Sequence, residues 1–286
     1  MESWFILAIL SAILFGLNNF IKKIVAKKGL DKNNFVFYFA FVQVIASALY
    51  FIYMGSYFYM TALFGILVFI RRILGVEKNL TMIESLKYID SSLFFPVHKL
   101  IKIGGGLIVG MFLFGEFLGR GEIIFLSLGF ISVLLLGYKK GTFKNKDIRK
   151  GIMYLLLSSL IIVITSTINK YIGENHDPAF YVFLSSVIGF IYIGLKIKLG
   201  KKKFSFDKTE FIYGLYTGII GFFAFLFLIL ALKDGKLVMV QLIATIDIII
   251  PIVLSFILLK EDVNKIKIIG LVLFLLNLGC FYLNIR

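Results

Sequence analysis

Asp247 is a carboxylate set among isoleucines, with Ile246, Ile248, Ile249 and Ile250 around it, ten residues into the apolar stretch Leu237–Leu259. An ionised group at the centre of a membrane helix costs about 2.5–3.5 kcal/mol on insertion scales, so it must face a partner or a water-filled cavity. Pro251 follows at i+4, where it lacks the N–H that would take the carbonyl of residue 247 and so frees a backbone acceptor. A carboxylate beside a helix break suits an ammonium-bearing solute, and Gln241 and Thr245 add an amide and a hydroxyl nearby. The matching position in the first half, 145 residues earlier, is Lys102, with His98 one turn before it on the same helical face and Gly104-Gly105-Gly106 standing where Pro251 stands. Two readings follow. In one, Lys102 takes a carboxylate or phosphate and Asp247 an ammonium in a shared cavity; in the other, the two neutralise each other as a buried structural pair and bind nothing.

Other polar residues are spaced for lesser roles. Glu77, Thr81, Glu84 and Tyr88 fall at steps of four, three and four, one face of a helix, and Glu77, Glu84, His98 or Asp247 could exchange a proton with a moving solute. Asn18 and Asn19, opposite Ser166 and Asn169, offer hydrogen bonds along a path or simply between helices. Glu116 and Glu261 sit at helix junctions, where the helix dipole favours an acid. Gly106-xxx-Gly110 and Gly214-xxx-Gly218 read as close helix packing, because no Gly-Lys-Ser/Thr follows to hold a phosphate. One cysteine, Cys280, and two distant histidines, His98 and His176, leave nothing for a disulfide framework or a zinc site, so no metal and no cofactor is expected.

The elements that position these residues must be membrane helices. Sixty per cent of the residues are hydrophobic and the mean hydropathy is +0.97, too apolar for a chain that must cover itself in water. Apolar windows long enough to cross a bilayer run over Ser3–Ile21, Phe35–Met54, Ser91–Phe114, Ile123–Tyr138, Gly151–Tyr171, Ala179–Leu195, Phe211–Leu232, Leu237–Leu259 and Ile266–Leu283. Glu2 sits where a leader peptide would be basic, so the first window reads as a span. A further helix, apolar over Tyr57–Ile70 and polar over Arg71–Asp90, should end near Tyr88 by repeat spacing, either crossing the bilayer or lying on its surface after Arg71-Arg72. The expected fold is therefore an all-α integral membrane protein, ten transmembrane helices in two inverted five-helix repeats, residues 1–140 and 151–286, joined by a basic linker at 141–150.

The net charge of +15 does not mark a nucleic-acid partner, because the lysines cluster in short loops between spans. Twenty basic residues lie in the loops after the first, fifth, seventh and ninth spans, against five on the opposite side; taken alone, that count puts the lysine-rich side in the cytoplasm and both termini outside.

The repeat landmarks carry a resemblance. Ser85-Leu86-Lys87-Tyr88, the run through Pro96 to Phe114, Gly115-Glu116 and a restart at Ile123 are echoed by Ala231-Leu232-Lys233-Asp234, the run through Pro251 to Leu259, Lys260-Glu261 and a restart at Ile266. In this order the chain resembles the drug/metabolite transporter superfamily, its ten-helix EamA-type members in particular. Gly16 through Asn19 resembles that family's small-polar step near the end of the first span. Three features depart from the family: the charged third helix, Lys260 in place of a glycine, and a charge count at odds with the cytoplasmic termini usual there, which leaves orientation open. The resemblance implies a multi-pass plasma-membrane secondary transporter, not an enzyme, that exports a small metabolite by alternating access, with an amino-acid-like solute the leading class. A carrier of phosphorylated or nucleotide-linked sugars is the alternative within the class, and it requires both Lys99 and Lys102 to face inward. Outside the class stand an enzyme acting on lipid-linked substrates, which would need Glu77 and Glu84 as an acid pair, and a scaffold with a dry interior.

Overall fold

A computed structural model describes residues 3–137, 146–200, 204–260 and 265–285. Among these residues there is no strand; the chain is a sequence of helices α1 (Ser3–Lys27), α2 (Lys32–Tyr53), α3 (Ala62–Tyr88), α4 (Ser91–Leu113), α5 (Arg120–Gly137), α6 (Lys146–Asn175), α7 (Pro178–Leu199), α8 (Lys208–Asp234), α9 (Leu237–Ile243), α10 (Ile249–Leu259) and α11 (Lys265–Ile285), with a 3-10 turn, Ala244–Ile248, between α9 and α10. Residues 141–145 of the linker, the loop lysines 201–203 and Glu261 lie outside the described residues. Helix starts are written into the short polar loops. Asp31, Thr61, Asp177 and Asp207 cap α2, α3, α7 and α8, each side chain accepting from a backbone N–H of the first turn.

Among the described residues, seven helices are long and apolar enough to cross a membrane: α1, α2, α4, α6, α7, α8 and the segment Leu237–Leu259. Helix α3 is not among them, because every 18-residue stretch of it contains Arg71, Arg72, Glu77 and Lys78. It ends at Tyr88, where the repeat spacing puts it, and packs along α6 and α7 with further contacts to α1 and α2, so its polar residues are shielded by protein. Large apolar side chains such as Leu49, Ile66, Phe112 and Leu160 face outward on the helices, a surface suited to hydrocarbon.

Packing between the two halves is reciprocal. Helix α1 runs beside α8 as α3 runs beside α6; α2 meets α8 as α7 meets α3; α4 touches α6 as the turn and α10 touch α1. Each half also contains the same lysine device. Lys23 Nζ, on α1, donates to the carbonyls of Leu86 (3.3 Å) and Ile89 (3.1 Å) at the end of α3. Lys170 Nζ, on α6, donates to those of Leu232 (3.2 Å) and Gly235 (2.7 Å) at the end of α8. A buried lysine thus satisfies helix-end carbonyls that have no partner within their own helix. Glu116, which the sequence places at a junction, accepts from the N–H of Leu237 at 2.6 Å and so caps α9, with Lys170 3.6 Å away.

Candidate functional site

Between the halves lies a cavity of about 910 Å³, counting the open space at its mouth. Helices α1 and α6 line it from matching positions 147 residues apart: Phe15 and Ile162, Asn18 and Thr165, Asn19 and Ser166, Lys22 and Asn169. Helices α3 and α8 do the same at 146 residues, through Gly75 and Gly221, Asn79 and Phe225, Met82 and Leu228. The equivalence stops at charge. Arg71, Arg72 and Lys78 also line the cavity from α3, whereas their counterparts on α8, Thr217, Gly218 and Ala224, do not. One wall is cationic and the facing wall is glycine, phenylalanine and leucine.

Lys99, Lys102 and His98 join the lining from α4, and Lys22 from α1. Six cationic side chains therefore surround a space whose lining holds one carboxylate, Asp247. That carboxylate is already taken: Lys99 Nζ stands 2.6 Å from Asp247 Oδ2 and 3.5 Å from the carbonyl of Ala244, with both side chains nearly fully buried. The other cations have neutral partners or none. Lys22 Nζ donates to Asn79 Oδ1 at 3.1 Å. Arg71 is held by Asn169 Oδ1 (2.8 Å) and Ser185 Oγ (3.2 Å), its guanidinium 4.1 Å from the centre of the Phe225 ring. Arg72 Nη2 donates to Gln43 Oε1 at 2.9 Å, while its buried Nε has no partner. The ammonium groups of Lys78 and Lys102 have neither a hydrogen bond nor an ion pair among the described residues. Buried acceptors face the same space unpartnered: Asn18 Oδ1 and Asp247 Oδ1. Unsatisfied groups of both kinds are expensive to leave dry, and an arrangement of this sort calls for water or a solute.

The broken helix is positioned by close approach. A methyl group on Gly16 would land on Ile250 and against the carbonyl of Asp247, so only glycine lets α1 come this near to the turn. Gly189 on α7 likewise leaves the room that the Arg72 side chain fills.

Of the residues singled out by sequence, Asp247, Lys102, His98 and Asn19 line the cavity together. His98 Nδ1 is 2.9 Å from Ser159 Oγ, and its ring stacks on Phe94. The repeat arithmetic pairs Asp247 with Lys102, but the ion pair forms with Lys99, one turn earlier on α4. Equivalent positions of two repeats need not touch, and Lys99, one turn before Lys102 on the same face of α4, is the residue that reaches the carboxylate. Lys99 and Lys102 both face inward, as residues three apart on one helix face can.

The remaining sequence candidates sit elsewhere. Gln241 is buried against Gly106 and outside the lining, and Thr245 Oγ1 donates to the carbonyl of Leu242 at 2.5 Å. Glu77 accepts from Tyr192 and Lys196 on α7; Glu84 accepts from Lys32, Lys87 and Tyr88. Counting 100° per residue, the face of α3 that carries Glu77, Thr81, Glu84 and Tyr88 points roughly 150° away from the cavity face. Glu77 and Glu84 have separate partners and make no acid pair. The cationic face was missed because Arg71-Arg72 reads as the flank of a surface helix. Its signal was Arg71, Gly75, Lys78 and Met82 at steps of four, three and four, one face of the same helix.

Residues 149–283 match the sequence profile of the EamA-like transporter family. No curated protein matches the chain. Among solved structures, one described only as a crystal structure of protein superposes with a TM-score of 0.67 at 14% identity, covering 93% of this chain and 94% of the other. At that identity the likeness is one of fold.

Proposed function

The chain belongs, through residues 149–283, to the EamA-like transporter family of the drug/metabolite transporter superfamily, and we propose that it is a secondary transporter of a small organic anion. It works as ten membrane helices in two inverted five-helix repeats, residues 1–140 and 151–286, in the plasma membrane, and it carries the solute by alternating access around the central cavity. Reciprocal packing, matched lining positions and the duplicated lysine device support the repeat. In this arrangement α3 is a spanning helix whose charges point at the cavity and at neighbouring helices.

The observation that carries the substrate class is the charge balance: six cationic side chains against one carboxylate, which is itself tied to Lys99. An amino-acid-like zwitterion needs a free carboxylate for its ammonium, and Asp247 offers only one unpartnered oxygen beside a lysine. A phosphate or carboxylate ester needs several donors at once, which Arg71, Arg72, Lys78 and Lys102 supply. In a site shielded from bulk water those cations attract an anion far more strongly than they would at a surface.

Purified protein reconstituted in liposomes is expected to take up a labelled hexose monophosphate and not a labelled neutral amino acid. Lys102→Met should reduce that uptake at least about tenfold, the loss of one charge-assisted contact. Uptake of the amino acid with no uptake of the phosphate ester would reverse the assignment.

A further inference from the structure

The cations of the cavity differ in how far each is already engaged. Arg71 donates to Asn169 and Ser185 and lies over the Phe225 ring, its Nη1 3.9 Å from where a Cβ on Gly75 would stand, so it forms part of the wall. Arg72 fills the room beside Gly189 and donates to Gln43. Lys99 is neutralised by Asp247, and Lys22 is held by Asn79. Lys78, on α3, and Lys102, on α4, line the cavity with neither a hydrogen bond nor an ion pair among the described residues. The lysine charges meet in one region: those of Lys22, Lys78, Lys99 and Lys102 all act on the His98 ring, and that of Lys102 acts on Lys78. Four ammonium groups thus share a volume whose lining, among the described residues, holds one carboxylate.

An anion that enters this region meets two unpaired ammonium groups on different helices. A carboxylate, a sulfate ester or a phosphodiester group brings one charge, and answering one lysine leaves the other uncompensated inside the protein, which is costly. A phosphate monoester brings close to two charges near neutral pH, spread over three oxygens, and answers both lysines at once. Ammonium groups act as point charges on flexible stems, which suits a tetrahedral head, whereas the guanidinium fork matches a planar carboxylate. Resting on the anion-transport reading, we infer that the cavity selects a phosphomonoester dianion, its head held between Lys78 and Lys102. Arg71 and Arg72 add positive field from the wall. Specificity then lies in the number of charges the head carries, and Lys78 and Lys102 are the residues that set it.

The test compares two esters of one sugar, glucose 6-phosphate and glucose 6-sulfate, which share a tetrahedral head and differ by about one charge near pH 8. Equilibrium binding of each is measured with the purified full-length protein in detergent. The phosphate ester is expected to bind at least about tenfold more tightly than the sulfate ester. Lys78→Met and Lys102→Met, each removing one of the two ammonium groups, should narrow that preference to within about threefold. A general loss of affinity weakens both esters alike and leaves the ratio unchanged, so the ratio is the readout. Each variant is first shown to elute as folded protein, and one folded variant suffices for the comparison. Equal affinity of the natural protein for the two esters, or a folded variant that keeps the full preference, overturns the dianion site while leaving anion transport standing. If neither ester binds, the anion reading falls, and the dianion site with it.

Discussion

Asp247→Leu is expected to cost the folded protein about 3–5 kcal/mol, and adding Lys99→Met to return most of that loss. The pair is 2.6 Å apart with both side chains nearly fully buried, so removing the carboxylate strands an ammonium beside a 3-10 turn whose Ala244 carbonyl is its only other acceptor among the described residues. Replacing both members with apolar residues of similar bulk removes two desolvation penalties along with one attraction, which is why such swaps tend toward neutrality. The measurement is a double-mutant cycle by thermal or chemical unfolding in detergent. A single variant as stable as the natural protein would mean that water already screens the pair. A double variant no better than the single would mean that the ion pair is not what holds the turn.

The second large effect is kinetic. With Cys280→Ala removing the exposed native thiol, a cysteine placed by Lys102→Cys is expected to react with a small anionic thiol reagent at least about tenfold faster than with its cationic analogue, each rate divided by that for free thiol. Removing Lys102 still leaves Lys22, Lys78, Arg71 and Arg72 around that position, with Lys99 cancelled by Asp247. A concave site lined by charge of one sign, within low-dielectric walls, concentrates the opposite ion by one to three orders of magnitude. The preference should shrink as salt is raised, as screened attraction does. Equal rates would show that the cations are offset by something else, and no labelling with either reagent would show a dry interior, as a scaffold has.

Much of the positioning framework is legible in the chain because it is local or periodic. The end of α3 at Tyr88 follows from repeat spacing, and the break near Asp247 follows from Pro251, whose ring and missing N–H weaken the helical turn before it. What does not follow is the direction a charged helix faces. Helix α3 carries cations and acids on nearly opposite sides, and either could have been read as the functional face. Glu77 and Glu84 are drawn outward by Lys196 and Lys32, partners in distant parts of the chain, and that leaves Arg71, Arg72 and Lys78 to the interior. Nor could sequence counting find Lys99 as the partner of Asp247. Repeat counting matches equivalent positions, and equivalent positions are not necessarily the ones in contact. The two-sided charge of the cavity is likewise invisible to repeat alignment, which matches Arg72 with Gly218 and Lys78 with Ala224 and so marks these positions as divergent without saying what either does.

The fixation of Arg71 has a consequence for how the protein is made. Its hydrogen-bond acceptors, Asn169 and Ser185, and the ring beneath it, Phe225, all belong to the second half, the nearest of them 98 residues later in synthesis. While the first half emerges, Arg72 can find Gln43 on α2 but Arg71 has none of these partners, and an unpaired guanidinium disfavours entry into hydrocarbon. Helices α1, α2 and α4 are apolar enough to insert as they appear, and α3 is expected to wait at the membrane surface until α6, α7 and α8 supply a polar lining. A fragment ending at residue 137 should therefore leave a cysteine introduced in the middle of α3 open to a water-soluble reagent, where the full chain protects it on the lipid side. Protection already complete in the fragment would mean that α3 enters the bilayer unaided.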